Sequence, residues 1–122
     1  MDKKKIITYE GDLDVSKMRL VYTDDNITNN DSIIVCKSEG ADINLYLYSA
    51  TGSRNTLMVK NSGWGVVYVY LNKDDTFDLD LGDEWTYTEI FPSESIEITD
   101  YAPGSWVMLD FHFLWMFRKW AL

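Results

Sequence analysis

The chain of 122 residues has one cysteine and one histidine. A single thiol excludes an intramolecular disulfide, and one His far in sequence from one Cys leaves a zinc site without its ligands. Cys36 ends the run Ser32-Ile33-Ile34-Val35-Cys36. That run reads as a buried strand, so the thiol is expected to be a small core residue rather than a nucleophile. Cations are also scarce. No Lys or Arg occurs from Asp74 to Phe117, while ten of the twenty acids fall between Asp74 and Asp100. With a formal net charge of −9, such a chain repels phosphates and anionic lipid heads, and no nucleic-acid partner is expected. The short run Lys3-Lys4-Lys5 reads as a solvated tail. Only Ile6-Ile7 follows it before polar residues resume, so no secretory leader is expected. The longest apolar stretch, near the C-terminus, is broken by Asp110 and His112 and is too short for a membrane span.

Motifs for catalysis are missing as well. There is no Gly-x-Ser-x-Gly to go with Asp110 and His112, and no Gly-rich phosphate loop. Asp74, Asp75, Asp78, Asp80, Asp83 and Glu84 are closely spaced but do not follow the EF-hand order. They read as a solvated acidic face. A carboxylate pair for glycoside hydrolysis needs a cleft and two different environments, and nothing in the pattern marks either. The chain is therefore read as not an enzyme, with no cofactor and no metal.

What is present is a period of two. Ile43, Leu45 and Leu47 alternate with Asn44, Tyr46 and Tyr48. Val67, Val69 and Leu71 alternate with Val66, Tyr68 and Tyr70, and Ile96 and Ile98 alternate with Ser95, Glu97 and Thr99. Each pattern predicts a half-buried strand. Turn residues punctuate the runs every eight to twelve positions or so, the spacing of a β-sandwich or barrel. Among them, Gly63-Trp64-Gly65 reads as a hairpin tip. No segment of helical period precedes residue 105. The expected fold is all-β, an antiparallel, jelly-roll-like sandwich. Residues 1–25 are an N-terminal arm or first strands, 26–110 the sandwich, and 111–122 a hydrophobic C-terminal interaction segment.

Aromatics make up 15% of the chain, with five Trp and eight Tyr. Tyr46 and Tyr48 share one side of their strand, and Tyr68 and Tyr70 one side of theirs. Two readings stand: rings that merely suit a pleated surface, or a subunit or ligand interface. Trp64 between two glycines either folds back on the sheet or offers its indole to a sugar ring or a neighbour's pocket. Phe111, Phe113, Trp115 and Phe117 share one strand parity in a stretch too apolar for a free tail, which predicts a partner surface.

Taken in order, several of these segments resemble one module. Asn30-Asp31-Ser32-Ile33-Ile34-Val35 looks like its opening strand. Asp42-Ile43-Asn44-Leu45-Tyr46-Leu47 followed by Gly52 looks like its second. Lys60-Asn61-Ser62-Gly63 is similar to its Lys-Asn-Ser/Thr-Gly turn, and Val66 to Leu71 to the returning strand. Pro92-Ser93-Glu94-Ser95-Ile96-Glu97-Ile98 and Gly104-Ser105-Trp106-Val107-Met108 resemble its last strands. The module is the β-sandwich of tailed-bacteriophage virion proteins, found in tail fibres, head fibres and decoration proteins. The resemblance covers roughly two-thirds of the chain. It implies a structural virion component, commonly a homotrimer, attached to other virion proteins, and brings no catalytic residues. The alternative is a carbohydrate-binding or host-receptor-binding module whose aromatic side chains stack on a surface glycan.

Overall fold

Period-two patterning becomes strands along most of the chain. The computed structural model describes residues 18–78 and 84–110. Among them the strands are β1 (Met18–Val21), β2 (Asp25–Asn26), β3 (Ile33–Cys36), β4 (Ile43–Tyr46), β5 (Thr56–Asn61), β6 (Val67–Tyr70), β7 (Thr76–Asp78), β8 (Glu84–Trp85), β9 (Tyr87–Ile90), β10 (Ser95–Ala102) and β11 (Ser105–Asp110). No helix occurs among the described residues. β1 and β2 fall within residues 18–26, at the end of the segment expected as an N-terminal arm or first strands. Residues 1–17 and the expected C-terminal segment 111–122 lie outside the described residues.

The strands form two sheets, in the orders β1-β3-β5-β10-β11-β7-β8 and β2-β4-β6-β9. Successive strands from β1 to β6 alternate between the sheets, so two strands make one coil of chain. A strand that returns to its sheet after a full coil runs parallel to its predecessor, and β1/β3, β3/β5, β2/β4 and β4/β6 are all parallel. Later strands reverse the direction. β9 pairs antiparallel with β6, and β10 lies antiparallel between β5 and β11. The expected antiparallel jelly roll is therefore corrected to two mixed sheets in a sandwich-like arrangement. Antiparallel neighbours come from hairpins, and these connections are crossovers between sheets instead. Gly63-Trp64-Gly65 is one such crossover, from β5 to β6, and not a hairpin tip.

One core lies between the sheets. Ile34, Cys36, Leu57, Val59, Ile96, Ile98, Phe77 and Trp106 enter it from the large sheet, and Ile43, Leu45, Val67, Val69 and Ile90 from the small one. Burial pushes the Cys36 thiol up to about 11, as expected of an inert core cysteine.

The first coil ends in charge. Arg19, on the core side of edge strand β1, donates from Nη1 to Asp25 at 2.6 Å. Its Nε and Nη2 reach Asp31 at 2.9 and 3.1 Å. The Arg19 hydrogen bond is the main reason the Asp25 carboxyl sits below its ordinary range. An inward-side charge on an edge strand discourages a further coil from stacking there.

Candidate functional site

The small sheet carries an aromatic ladder on its outer face. Register aligns Tyr46 of β4 with Tyr70 of β6, and Tyr70 with Tyr87 of β9. Alternation sends Leu45, Val67, Val69 and Ile90 inward and leaves these rings outside. Tyr46 and Tyr70 stack at 5.4 Å and 17°, and Tyr70 and Tyr87 at 5.7 Å and 29°. Tyr68 joins from the next row, 6.3 Å from Tyr70 and 6.5 Å from Tyr87. Near-parallel rings this close cannot lie side by side in one plane. They stand on the sheet like books, faces against one another, with edges and hydroxyls outward. Partial burial, and then the negative charges of Asp42 and Glu89, raise the Tyr68 phenol above its ordinary value. The Tyr68 hydroxyl therefore stays neutral and able to donate.

Tyr48 leaves this face. β4 ends at Tyr46, the chain turns under, and the Tyr48 ring meets the buried Trp106 indole edge-on at 5.2 Å and 75°. Burial, with the nearby Asp100 charge, pushes its phenol up to about 12. Sequence parity placed Tyr48 beside Tyr46 because alternation holds only while the strand lasts. The ladder's fourth ring, Tyr87, was missed because its strand is short and carries no clear alternation.

Trp64 projects outward, 79% exposed, so it does not fold back on the sheet. Its loop is held from below. Asn61 is buried, and its Nδ2 donates to the carbonyls of Gly65 and Ile90, each at 2.8 Å, while its Oδ1 accepts from Gly63 N–H at 3.0 Å. Trp64 N–H donates to the Ser38 carbonyl at 3.0 Å. The glycines are dictated by closeness. A Cβ on Gly63 would meet Ser38 N and O at 2.5 Å, and one on Gly65 would meet the Ala41 carbonyl oxygen at 2.2 Å. Both obstacles are backbone, so Gly65→Ala must displace the 37–42 connection. A loss of roughly 2–3 kcal/mol is expected, read as a lower urea midpoint with unchanged slope.

The acidic stretch is less solvated than its composition implied. Asp75, Glu94 and Asp100 are buried. Asp75 accepts from Ala50 N–H at 2.8 Å. Asp100 accepts from Gly52 N–H at 2.6 Å, Thr51 N–H at 2.9 Å and Ser53 Oγ at 2.9 Å. Together the two carboxylates pin the 50–53 loop. Asp80 and Asp83, and the interface candidates Phe111, Phe113, Trp115 and Phe117, lie outside the described residues. Among the described residues no group of three or more His, Cys, Asp or Glu is placed to hold a metal ion, and no helix is long and apolar enough to cross a membrane.

A second apolar surface was not anticipated. On the outer face of the large sheet, Met18, Ile33 and Met58 form one cross-strand row, and Leu20 and Val35 begin the next, beside Lys60. Met18 is 53% exposed and Leu20 46%, with the other three apolar residues half-buried. The alternation of Met18-Arg19-Leu20-Val21 is the signal that could have found it. Comparison with protein-family models, curated proteins and solved structures finds no match to this chain.

Proposed function

We propose that the chain is a structural component of a tailed-bacteriophage virion, of the head-fibre, tail-fibre or decoration/adaptor kind. It works by self-association and by attachment to other virion proteins, without catalysis. The observation that carries the self-association is the tyrosine ladder. Four rings on an outer sheet face are preorganised by their mutual stacking, and phenolic edges with outward hydroxyls suit a protein surface that is part apolar, part hydrogen-bonding. The trimeric number comes from the family resemblance. So does the virion, supported by the ordered motifs and by the clamp that gives Asn61 and Gly63 of the turn motif their physical roles.

The test is the solution mass by light scattering, for the wild-type chain and for Tyr46→Lys/Tyr87→Lys. These are the more exposed ladder rings, at 46% and 38%. A trimer for the wild type and a monomer with a similar thermal midpoint for the variant is the expected result. A monodisperse wild-type monomer would overturn this reading.

One observation favours a second reading, glycan recognition. The ladder has few bare ring faces to offer a sugar, but the Trp64 indole is largely uncovered, on a loop tied down by Asn61. Glycan binding lost in Trp64→Ala, with an unchanged melt, would support it.

A further inference from the structure

We infer that the outer face of β1, β3 and β5 is the docking surface for residues 111–122 of the same chain. The face offers Met18, Leu20, Ile33, Val35 and Met58 in two adjacent rows on three neighbouring strands. An apolar patch of this kind, on a sheet whose edge is already blunted by Arg19, calls for a cover on its face rather than a further strand at its side.

Three observations select the occupant. The first is where the described chain leaves the fold. Asp110 pairs with Glu97, Glu97 with Met58, Met58 with Ile33, and Ile33 with Met18. The exit and the patch thus share one cross-strand row. The patch's far edge is four strand steps away, about 19 Å at the usual strand spacing. The second is reach. The twelve residues from Phe111 to Leu122 extend to about 40 Å at most, enough to cross β10 and lie along the patch. The third is chemistry. Phe111, Phe113, Leu114, Trp115, Met116 and Phe117 supply the apolar complement. The segment contains Arg118 and Lys119 and no acid, while the rest of the chain carries all twenty acids and the other nine cations. A cationic, apolar segment is attracted to the body that precedes it, and apolar burial then holds it.

Two measurements on the full chain test this, and neither depends on the tyrosine face. In Leu20→Cys/Trp115→Cys, oxidation should give a disulfide within one chain, seen as monomer mass on a denaturing, non-reducing gel and located by peptide mass mapping. Cys36 is sealed in the core and does not compete. A bridge only between two chains would overturn the assignment and give the face to a second copy's segment. Limited chymotrypsin should spare the 111–122 aromatics of the wild type. It should release them at least tenfold faster from Val35→Lys, whose outward lysine leaves the core melt nearly unchanged. Equal release from both proteins would overturn the proposal.

Discussion

Replacing Trp106 with alanine should cost more stability than any other single truncation among the described residues. Among the described residues Trp106 is the largest of the fully buried side chains. It lies on β11 between Asp100 of β10 and Phe77 of β7, with the Tyr48 ring edge-on against it. A Trp-to-Ala change in such a site costs about 3–5 kcal/mol, because the surroundings collapse only partly into the cavity. For a domain with roughly 5–15 kcal/mol in total, that is a large share, and the thermal midpoint should fall by roughly 15 °C or more. A finer expectation follows from the indole nitrogen. Trp106 Nε1 is buried and finds no hydrogen-bond partner among the described residues. Trp106→Phe removes that unsatisfied donor along with part of the ring, so it should be clearly milder than Trp106→Ala. Equal losses in calorimetric melts of the two variants would show that packing volume is not what Trp106 supplies. Tyr48 should report the same event, since its phenol titrates near 12 only while it stays packed in this corner.

Asp100→Asn should also be strongly destabilising, although it keeps the side chain's size. The carboxylate is fully buried on β10 and accepts from two backbone amides and two hydroxyls of residues 51–53. Asparagine offers one acceptor oxygen and turns an NH₂ group toward the remaining donors. Hydrogen bonds to a charged group contribute about 1.5–3 kcal/mol each, so a net loss of roughly 2–4 kcal/mol is expected near neutral pH. Burial alone would raise the Asp100 carboxyl. The donors from Gly52, Thr51 and Ser53 outweigh burial and hold it below its ordinary value of 3.8. A carboxyl depressed on folding stabilises the fold fully above its unfolded-state value, and that contribution disappears as the pH falls through the lower folded-state value. Urea titrations of both proteins should therefore converge as the pH drops below 3.8. A gap that persists in acid would mean that the charge is not what anchors the loop.

Much of the strand content was legible because apolar residues alternate at Ile43–Leu47, Val67–Leu71 and Ile96–Ile98, and one buried face per strand is enough to write that pattern. Strand direction was not legible. Alternation reads the same whether the neighbour runs parallel or antiparallel, and the crossover at Gly63-Trp64-Gly65 has the residues of a hairpin turn. Its glycines serve closeness to Ser38 and Ala41, a long-range fact with no local sign. The tyrosine face was partly legible. Tyr46, Tyr68 and Tyr70 lie where parity puts them, while Tyr48 lies beyond the end of its strand and packs, half-buried, against Trp106. Acidic composition misled for a similar reason. Asp75 and Asp100 look like their solvated neighbours, and only the small, donor-rich Thr51-Gly52-Ser53 opposite them hints that their charge is used inside.

The winding of the chain between its sheets also governs how it can fold. β5 is an inner strand of the large sheet, and its Val59 pairs with Ile34 on one side and Ile96 on the other. Neither neighbour is joined to β5 by a tight turn. During synthesis the first three coils emerge while the far flank of β5 has no partner, because β10 is made last but one of the strands. A topology of such distant pairings folds slowly for its size. In that interval an open, apolar strand edge is presented to every other nascent copy nearby. Expression at low temperature or with chaperone support should therefore raise soluble yield far more than it raises the melting temperature of the protein recovered.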